Sequence, residues 1–316
     1  MRFKKLDLNL LVALDALLTE KNVTRAGERV FLSQSTMSNA LSRLRQYFDD
    51  DLLVQVGGRM ELTPRAELLH EAVRDVLVRI DTTVAARPAF DPTESDREFT
   101  LFVSDYSMEV LIPGMLALAH QRGSRVRFNF KPQVGQPHRS LERGEADLLI
   151  IPSNFCSPDH PLDPLFDDRF VCVVWQDSPL AQGALTMERY LQARHVAMVP
   201  ADGGLPVFDT WLANDHGLSR EIGLTTYNFS AMLHLVVGTD LIATSHARLA
   251  HLLQGTLPIA LRPVPLSMKK LQQSMQWHKY RSRDPGLIWL RDLLREAAAG
   301  MGPCPGEPPT PLTPPR

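Results

Sequence analysis

Residues 23–45 read VTRAGERVFLSQSTMSNALSRLR. This pattern predicts a short helix over 24–30, a turn at 31–33, and a longer helix that runs to about residue 48, with Ser33 or Ser35 as its N-terminal cap. In the longer helix, apolar residues recur at helical spacing and share one face, and polar residues occupy the other. The apolar face consists of Met37, Leu41, Leu44 and Phe48, and the polar face of Gln34, Ser35, Thr36, Ser38, Asn39, Ser42 and Arg43.

A helix precedes this stretch and a hairpin follows it. From Asp7, which can cap a first turn, leucines recur at spacings of three and four and predict an amphipathic helix. Segments 52–56 and 60–63 flank Gly57-Gly58 and predict a hairpin with Arg59 at its tip. Three helices and a hairpin predict an N-terminal, all-α winged helix-turn-helix domain over residues 1–63. The leucines are Leu10, Leu11, Leu14, Leu17 and Leu18.

The polar face of the third helix has the chemistry of a base-reading surface. A helix fits the major groove of DNA, which is about 12 Å wide. Asparagine, glutamine and arginine pair with base edges, whereas serine and threonine mostly hold phosphates. Periodicity alone leaves open the alternative that this is the solvated face of a small helical subdomain. The candidate DNA-contacting residues are Arg25, Gln34, Ser35, Thr36, Ser38, Asn39, Arg43 and Arg59.

The charge of the chain limits where nucleic acid can bind. The net charge is −2 over 316 residues, so any positive field must be local. Three consecutive aspartates at 49–51 offset much of the basic patch near the third helix. With 44% hydrophobic and 22% charged residues the chain is an ordinary globular protein, and its length predicts more than one core. The patch consists of Arg25, Arg29, Arg43, Arg45 and Arg59.

A long helix is predicted over residues 64–87. Thr63-Pro64 is typical of a cap followed by proline at the first helical position. Apolar residues keep a spacing of three or four over about 36 Å, which favours a dimerising linker helix. These apolar residues are Leu69, Val73, Val76, Ile80 and Val84.

Beyond Glu98, short apolar segments alternate with helical ones, which predicts an α/β domain with parallel strands over residues 88–300. Proline-rich residues 301–316 have almost no apolar side chains and are predicted to be a disordered tail. The predicted strands cover 99–103, 126–130, 147–151, 170–175, 195–199 and 241–244. The predicted helices begin near Ser107, His138, Thr186, Pro206, Asn228 and His246.

The carboxyl ends of these strands mark the predicted ligand site, because helix N-termini there present free N–H groups. We expect the residues at these ends to converge on one cleft for a small-molecule effector, although helix capping alone is the alternative for each residue. Aromatic residues near the strand ends are compatible with an aromatic effector: Tyr106, Phe155, Phe208, Tyr227 and Phe229. The candidate effector-binding residues are Ser104, Asp105, Tyr106, Ser107, Pro152, Asn154, Asp202, Gly203, Asn228, Phe229 and Thr244.

Several classes of protein are disfavoured. Cys156, Cys172 and Cys304 form no C-x-x-C or metal-ligand pattern, which predicts a reducing cytoplasm. The histidines form no H-x-x-x-H pair, and no G-x-S-x-G, P-loop or G-x-G-x-x-G motif occurs. We therefore expect no enzyme activity, catalytic residue, metal site or cofactor. No apolar run approaches the roughly 18 residues that span a membrane, and polar residues interrupt the leucine-rich start where a secretory signal would lie.

Specific blocks of sequence resemble the N-terminal domain of LysR-type transcriptional regulators: 6–11, 23–38, 41–45 and Leu62-Thr63-Pro64. Residues 1–10, Ser104-Asp105-Tyr106, 237–244 and 275–281 are similar to the branch containing the nodulation regulator NodD and aromatic-responsive relatives. The resemblance covers about residues 1–296. Two positions depart from it: Thr36, where many relatives carry proline, and Asp240, where the wider family often has glycine.

The resemblance implies a winged helix-turn-helix that binds double-stranded promoter DNA and a two-lobed, periplasmic-binding-protein-like effector domain. It also implies a homodimer or homotetramer, with RNA polymerase as a further partner. The alternative is a solute-binding protein of periplasmic type with a fused helical segment, which lacks a secretion signal here. An enzyme on an α/β scaffold would leave the first 87 residues unexplained.

Overall fold

Three helices open the structure, a computed structural model that describes residues 6–84, 90–133, 135, 137–199, 207–268 and 270–306. They are α1 (Leu8–Glu20), α2 (Val23–Arg29) and α3 (Gln34–Phe48). Each begins at a side-chain cap: Asp7 accepts from the Leu10 amide at 2.8 Å, Asn22 from Arg25 at 3.0 Å and Ser33 from Thr36 at 3.2 Å. The three predicted helices are confirmed to within about a residue at the ends that were predicted.

A hairpin and a long helix follow. Strands β1 (Leu53–Val56) and β2 (Arg59–Leu62) are antiparallel, and α4 covers Pro64–Val84. The Thr63 hydroxyl caps α4 by accepting from the Ala66 amide at 3.1 Å, as the sequence predicts. The apolar faces of α1 and α3 form a core that Leu69 and Val73 of α4 join. Its fully buried members include Leu14, Leu17, Leu18, Met37, Leu44 and Leu52.

The chain divides into two compact units. One comprises Met1–Pro88 with Arg139–Glu145, and the other comprises Ala89–His138 with Ala146–Arg316. The second unit contains two five-stranded sheets, each of which forms the centre of a lobe.

The first lobe is built on a sheet with the strand order β4-β3-β5-β12-β6. Strands β3, β4 and β5 are parallel, and β12 is antiparallel to both its neighbours. The strands are β3 (Glu98–Val103), β4 (Arg127–Pro132), β5 (Leu148–Pro152), β6 (Leu162–Asp168) and β12 (Leu271–Gln276). The helices are α5 (Asp105–Val110), α6 (Ile112–Gln121) and α12 (Pro285–Gly300). Helix α7 (Pro137–Glu142) follows β4 in the chain, and its residues from Arg139 onward belong to the first unit.

The second lobe has the strand order β11-β7-β10-β8-β9. Strands β8, β9 and β10 are parallel, and β7 is antiparallel to β10 and β11. The strands are β7 (Phe170–Trp175), β8 (Arg194–Met198), β9 (Glu221–Thr226), β10 (Ile242–His246) and β11 (Ile259–Pro263). The helices are α8 (Met187–Gln192), α9 (Val207–His216), α10 (Phe229–Leu235) and α11 (Ala247–Gln254).

The chain crosses between the lobes twice, at Arg169 between β6 and β7 and again between β11 and β12. Strands β7 and β12 come directly after these crossings and run antiparallel to their neighbours, so the prediction of parallel strands is wrong for these two. The sequence also failed to predict β6, β9, β11 and β12. Strand β12 reads LQQSMQ and buries Gln273, Ser274 and Gln276, which hides the usual alternation of apolar and polar residues.

The segment Met301–Gly306 is fixed to the second unit rather than disordered as predicted. Arg248 donates to the Gly302 carbonyl at 2.9 Å, Arg169 donates to the Pro305 carbonyl at 3.0 Å, and Cys304 is buried. Residues 307–316 lie outside the described residues. No helix in the described part of the chain is long and apolar enough to cross a membrane.

Candidate functional site

The predicted polar face of α3 faces solvent. Ser35, Asn39 and Arg43 recur every four residues and form one exposed ridge along a helix about 22 Å long. The other predicted members of this face are also accessible: Gln34, Thr36 and Ser42 are exposed, and Ser38 is half-buried.

The basic residues around α3 divide into accessible and structural ones. Arg43 lies 3.5 Å from Asp7, and 58% of its side chain remains exposed. Arg25 and Arg29 on α2 approach Glu20 but stay exposed, as does Arg59 of the hairpin. Arg45 instead donates to the carbonyls of Asp51 and Leu53 at 2.8 and 2.9 Å. Its guanidinium ties the hairpin to α3, so assigning Arg45 to the basic patch was wrong.

Asp50 is also structural. Its carboxylate accepts from the Leu52 amide at 2.7 Å and from the Thr63 hydroxyl at 2.6 Å. The hydrogen bond from Thr63 lowers the pKa of the Asp50 carboxyl. This carboxylate joins the end of α3 to the start of α4, and its neutralisation would loosen the hairpin.

Five side chains meet where the two lobes of the second unit face each other, and we call them the interlobe cluster: Asp105, Tyr106, Asp168, Phe229 and His246. The Tyr106 ring stacks on His246 with centroids 3.9 Å apart, and the Phe229 ring meets His246 edge-on at 4.6 Å. The Tyr106 hydroxyl donates to Asp168 at 2.5 Å. Tyr106 follows β3 of one lobe and His246 ends β10 of the other, so the stack joins the lobes.

Helix starts from both lobes meet in this cluster. Ser104 caps α5 by accepting from the Ser107 amide at 3.2 Å, and Asn228 caps α10 by accepting from Ala231 at 2.7 Å. The Asp105 carboxylate reaches across to accept from the Ser230 amide at 2.9 Å. The predicted residues Ser104, Asp105, Tyr106, Asn228 and Phe229 are therefore brought together, with Ser107 buried behind them. Their N–H groups already have partners from the protein itself.

The remaining predicted effector residues lie elsewhere or outside the described residues. Pro152 is half-buried and Asn154 is exposed at the end of β5. Asp202 and Gly203 fall in 200–206, which is outside the described residues. Thr244 contacts the Tyr190 hydroxyl at 2.8 Å and belongs to a different buried group, so placing it in the interlobe cleft was wrong.

That second group surrounds a buried cation and is called the Arg220 cluster: Tyr190, His195, Asp209, Arg220 and Thr244. Only 2% of the Arg220 side chain is exposed, and its guanidinium donates to both Asp209 oxygens at 2.6 and 2.9 Å. It also lies 3.1 Å from His195 Nδ1 and 3.2 Å from the Thr244 hydroxyl. Burial lowers the pKa of His195 to about 4, and the Arg220 charge acts in the same direction. This cluster holds the second lobe together.

Sequence reasoning did not assign His246 or Gln273 to the site, although both carry buried polar atoms without partners. His246 Nδ1, Ser245 Oγ and Gln273 Oε1 are buried and have no hydrogen-bond partner among the described residues. Gln273 pairs with Phe166, whose ring packs edge-on against Tyr106 at 6.4 Å. Buried polar atoms without partners are uncommon in native proteins, so they are candidates for contact with a ligand or water. Gln273 lies on one of the strands that the pattern failed to predict.

Asp168 links the cluster to the first crossing between lobes. Besides Tyr106, its carboxylate accepts from the Arg169 amide at 2.7 Å and lies 3.3 Å from the Arg248 amide and from Cys304 Sγ. Burial raises the pKa of the Cys304 thiol to about 11. The crossing, the segment after α12 and the interlobe cluster therefore share one carboxylate.

The cluster combines neutral rings with carboxylates. Burial lowers the pKa of His246 to about 4, partly opposed by Asp168, so the imidazole is neutral at pH 7. Burial also raises the pKa of the Tyr106 phenol. Burial raises the pKa of Asp105, and hydrogen bonds from the Ser230, Phe229 and Tyr106 amides oppose that effect. The nearby Arg248 guanidinium is committed to the carbonyls of Asp167, Met301 and Gly302.

A groove of about 690 Å³ lies at the far end of the second lobe's sheet. Its Arg189 donates to the Pro179, Gln182 and Ala184 carbonyls, and its Arg194 pairs with Glu221 at 3.2 Å, so these cations already have partners. No group of three or more metal-ligating side chains occurs among the described residues.

Two family models match this chain, one in each unit. Residues 8–67 match the model described as a bacterial regulatory helix-turn-helix protein of the lysR family, and residues 92–299 match the LysR substrate binding domain. The chain belongs to the LysR family of bacterial transcriptional regulators. α3 therefore belongs to the DNA-binding helix-turn-helix of a LysR regulator, and the interlobe cluster lies in its effector-binding domain.

Curated relatives of this LysR regulator span nearly its full length. Nodulation protein D of Bradyrhizobium sp. (strain ANU 289) is 39% identical over 311 residues, covering 98% of this chain and 92% of that protein. Nodulation protein D 1 of Rhizobium meliloti (strain 1021) is 39% identical over 303 residues, covering 96% and 98%. The similarity to the NodD branch that the sequence indicated is confirmed.

Solved structures agree on the fold. A probable transcriptional regulator from Pseudomonas aeruginosa has a TM-score of 0.63 at 30% identity and covers 93% of this chain and 98% of that one. Full-length OxyR from Pseudomonas aeruginosa has a TM-score of 0.72 at 17% identity over 96% and 99% of the two chains, which is a likeness of fold alone. The expected function, a DNA-binding transcriptional regulator with an effector domain, is confirmed.

Proposed function

We propose that this LysR regulator reads promoter DNA with the exposed face of α3 and binds a neutral aromatic effector at the interlobe cluster. The observation that carries the first part is the exposed ridge of Ser35, Asn39 and Arg43 on a helix whose other face is fully packed. Asparagine and arginine on such a ridge can each form two hydrogen bonds to a base edge. Arg25 and Arg59 are assigned to phosphates on either side of the groove.

The chemistry of the interlobe cluster supports the choice of effector. Tyr106, Phe229 and His246 pack on one another, and an aromatic effector can join this group through the half-buried Phe229 ring. The two carboxylates, Asp105 and Asp168, already accept hydrogen bonds from the protein, and their charge repels an anionic ligand. The unpartnered His246 Nδ1 supplies a polar contact for a neutral one. A phenolic, uncharged aromatic satisfies these groups better than a benzoate does.

A matched pair of ligands tests this choice. We expect 4-hydroxyacetophenone to raise the thermal midpoint of the full-length protein more than 4-hydroxybenzoate does, since the two differ mainly in the charge of one substituent. The measurement is differential scanning fluorimetry over a concentration series of each ligand. Equal stabilisation by both compounds, stabilisation by the carboxylate alone, or none by either would contradict the proposed chemistry.

The linker helix supports a homodimer as the minimum assembly, with a tetramer built from two of them. Leu69 and Val73 of the predicted stripe pack inward on the helix-turn-helix core, whereas Val76 is 43% exposed and Ile80 is half-exposed. Val76 and Ile80 are one turn apart and share a face. We assign that outer part of the stripe to a helix–helix seam between two chains. The Val84 side chain lies outside the described side chains.

Ile80→Asp tests the seam. A carboxylate buried between two helices must be desolvated without a partner, so we expect the dimer to dissociate at protein concentrations where the parent protein is dimeric. Ile80→Leu keeps the apolar contact and serves as the control. Sedimentation velocity over a dilution series measures both. Unaltered sedimentation of Ile80→Asp would assign this face to contacts within one chain.

A regulator that reads promoter DNA acts in the bacterial cytoplasm, where its three free cysteines stay reduced. Effector binding at the interlobe cluster changes either the bending of the bound DNA or the contact with RNA polymerase. Neither change needs a catalytic step. The solute-binding alternative gains no support from a chain whose first unit is a complete winged helix-turn-helix.

A further inference from the structure

The turn between α2 and α3 has an unusual residue at its centre. After the last turn of α2, the Leu32 amide donates to the Gly27 carbonyl at 2.9 Å and the Phe31 amide donates to the Glu28 carbonyl at 3.3 Å. This pair of hydrogen bonds is the Schellman motif, which requires a left-handed residue just after the helix. That residue is Phe31, with φ of 57°.

Glycine or asparagine is the usual residue at this position, because a side chain with a Cβ is crowded in the left-handed region. A bulky aromatic there is a genuine outlier. The nearby Gly27 shows how tight the turn is, since a Cβ on it would lie 2.7 Å from the Leu32 carbonyl oxygen. The sequence therefore places its glycine at the close approach and a phenylalanine at the strained position.

Packing does not compensate for this strain in the isolated chain. The Phe31 side chain is 97% exposed, so its ring makes almost no contact with the protein. Leu32, the next residue, is 39% exposed. Strained residues without a compensating contact in the fold are concentrated at functional sites, where a partner molecule supplies that contact.

The location of Phe31 identifies the partner. Phe31 lies two residues before Ser33, which caps α3, and the first turn of α3 exposes Gln34, Ser35 and Thr36. In helix-turn-helix proteins the start of the second helix enters the major groove, so the preceding turn lies at the edge of that groove. The exposed arginines of α2, Arg25 and Arg29, are on the adjoining surface. The ring is therefore continuous with a DNA-binding surface.

We propose that the Phe31 ring packs on an apolar surface of bound DNA, either a thymine methyl group or a deoxyribose at the edge of the major groove. The proposal rests on α3 as the DNA-reading helix and adds an apolar contact to its polar ones. Phenylalanine contacts to thymine methyls are a known means of base readout. The left-handed backbone aims the ring away from the protein's own core.

The strain affects the stability of the free protein, whereas the contact affects the affinity for DNA. The strain is present with or without DNA, so relieving it raises the stability of the free protein and leaves the binding constant unchanged. Losing the ring contact weakens binding and leaves the free protein intact. Phe31→Asn does both, because asparagine tolerates the left-handed region and has no ring. Phe31→Tyr keeps both the ring and the strain and is the matched control.

The experiment uses the full-length protein and a duplex that this protein enriches from a random-sequence library, called the selected duplex below. We expect Phe31→Asn to raise the thermal midpoint of the N-terminal unit by about 4–8 °C. We expect its affinity for the selected duplex, measured by fluorescence anisotropy, to fall about tenfold. Phe31→Tyr should change neither quantity appreciably.

Other outcomes overturn the proposal. Retained affinity in Phe31→Asn would remove the contact with DNA, and retained affinity together with a changed sedimentation coefficient would assign the ring to a second copy of the chain. A lowered thermal midpoint would mean that the ring supports the fold. Parent-like affinity of Asn39→Ala/Arg43→Ala for the selected duplex would instead reject α3 as the reading helix, whatever Phe31→Asn does.

A modified duplex distinguishes the two apolar surfaces. Replacing thymine by deoxyuridine removes the C5 methyl group and nothing else. If the ring contacts that methyl group, the modified duplex weakens the affinity of the parent protein by about the same factor as the Phe31→Asn substitution does. The affinity of Phe31→Asn is then the same for both duplexes. If the parent protein binds both duplexes equally while Phe31→Asn remains weak, the ring contacts the sugar.

Discussion

The double variant Asn39→Ala/Arg43→Ala is expected to bind the selected duplex at least about 30-fold more weakly than the parent protein. Each residue that reads a base edge contributes roughly 1–3 kcal/mol to specific binding, and a tenfold change corresponds to about 1.4 kcal/mol. Both side chains are exposed on one ridge of α3, so neither substitution opens a cavity in the core. The loss therefore belongs to recognition and not to folding.

Arg43 has only a weak competitor for DNA. Its guanidinium lies 3.5 Å from Asp7, and both side chains are more than half exposed, so water and salt screen the pair. Arg127→Ala is the control, because Arg127 is an exposed arginine of the effector domain and carries the same charge. Anisotropy titrations of both proteins against the selected duplex and an unrelated duplex separate specific from non-specific binding. Parent-like affinity of the double variant for the selected duplex would remove α3 from base recognition.

Asp209→Ala is expected to destabilise the effector domain by about 3 kcal/mol or more. Removing one partner of a buried ion pair leaves the other charge uncompensated, and such losses are typically about 3–5 kcal/mol. The Arg220 side chain is only 2% exposed, so it cannot recover its hydration when Asp209 is removed. The hydroxyls of Tyr190 and Thr244 and the neutral His195 then face a cation with no carboxylate.

The double variant Asp209→Leu/Arg220→Met is the informative control. Replacing a buried ion pair by apolar residues of similar volume is often neutral, so we expect it to regain most of the stability that Asp209→Ala loses. All four tryptophans, Trp175, Trp211, Trp277 and Trp289, lie in the second unit, and their fluorescence reports its unfolding in urea. A small loss of unfolding free energy in Asp209→Ala would mean that water solvates the Asp209–Arg220 ion pair.

The N-terminal unit could be predicted almost completely from sequence. Its signals are local: the apolar stripes of α1 and α3 are regular, and each helix is capped by a side chain that accepts from the amide three positions later. The caps are Asp7, Asn22, Ser33 and Thr63. The roles of Arg45 and Asp50 could not be predicted, because their partners lie in the hairpin and at the start of α4. The left-handed Phe31 contradicts its residue type and was therefore predicted only as part of a turn.

The effector domain was harder to predict because its sheets exchange strands. β12 returns from the second lobe to lie between β5 and β6, and its buried glutamines and serines carry no apolar pattern. Strand-end positions grouped Asp105, Tyr106 and Phe229, and the structure brings these three residues together across the two lobes. Thr244 is also at a strand end, but its hydroxyl contacts Tyr190 inside the second lobe. Asp168 and His246 carried no sequence signal for the site.

Effector and DNA are expected to bind at separate sites in one chain, and the variant Ser104→Leu tests this separation most directly. Leucine removes the hydroxyl that caps α5 and adds bulk beside Asp105 and Tyr106, while Ser104→Thr keeps the hydroxyl and is the control. Calorimetry with 4-hydroxyacetophenone and anisotropy with the selected duplex are measured on each protein. We predict that Ser104→Leu loses ligand binding and keeps DNA affinity within about twofold, a change of roughly 0.4 kcal/mol. Full ligand affinity in Ser104→Leu would place the effector outside the interlobe cluster, and joint loss of ligand and DNA binding, with Ser104→Thr unchanged, would contradict separate sites.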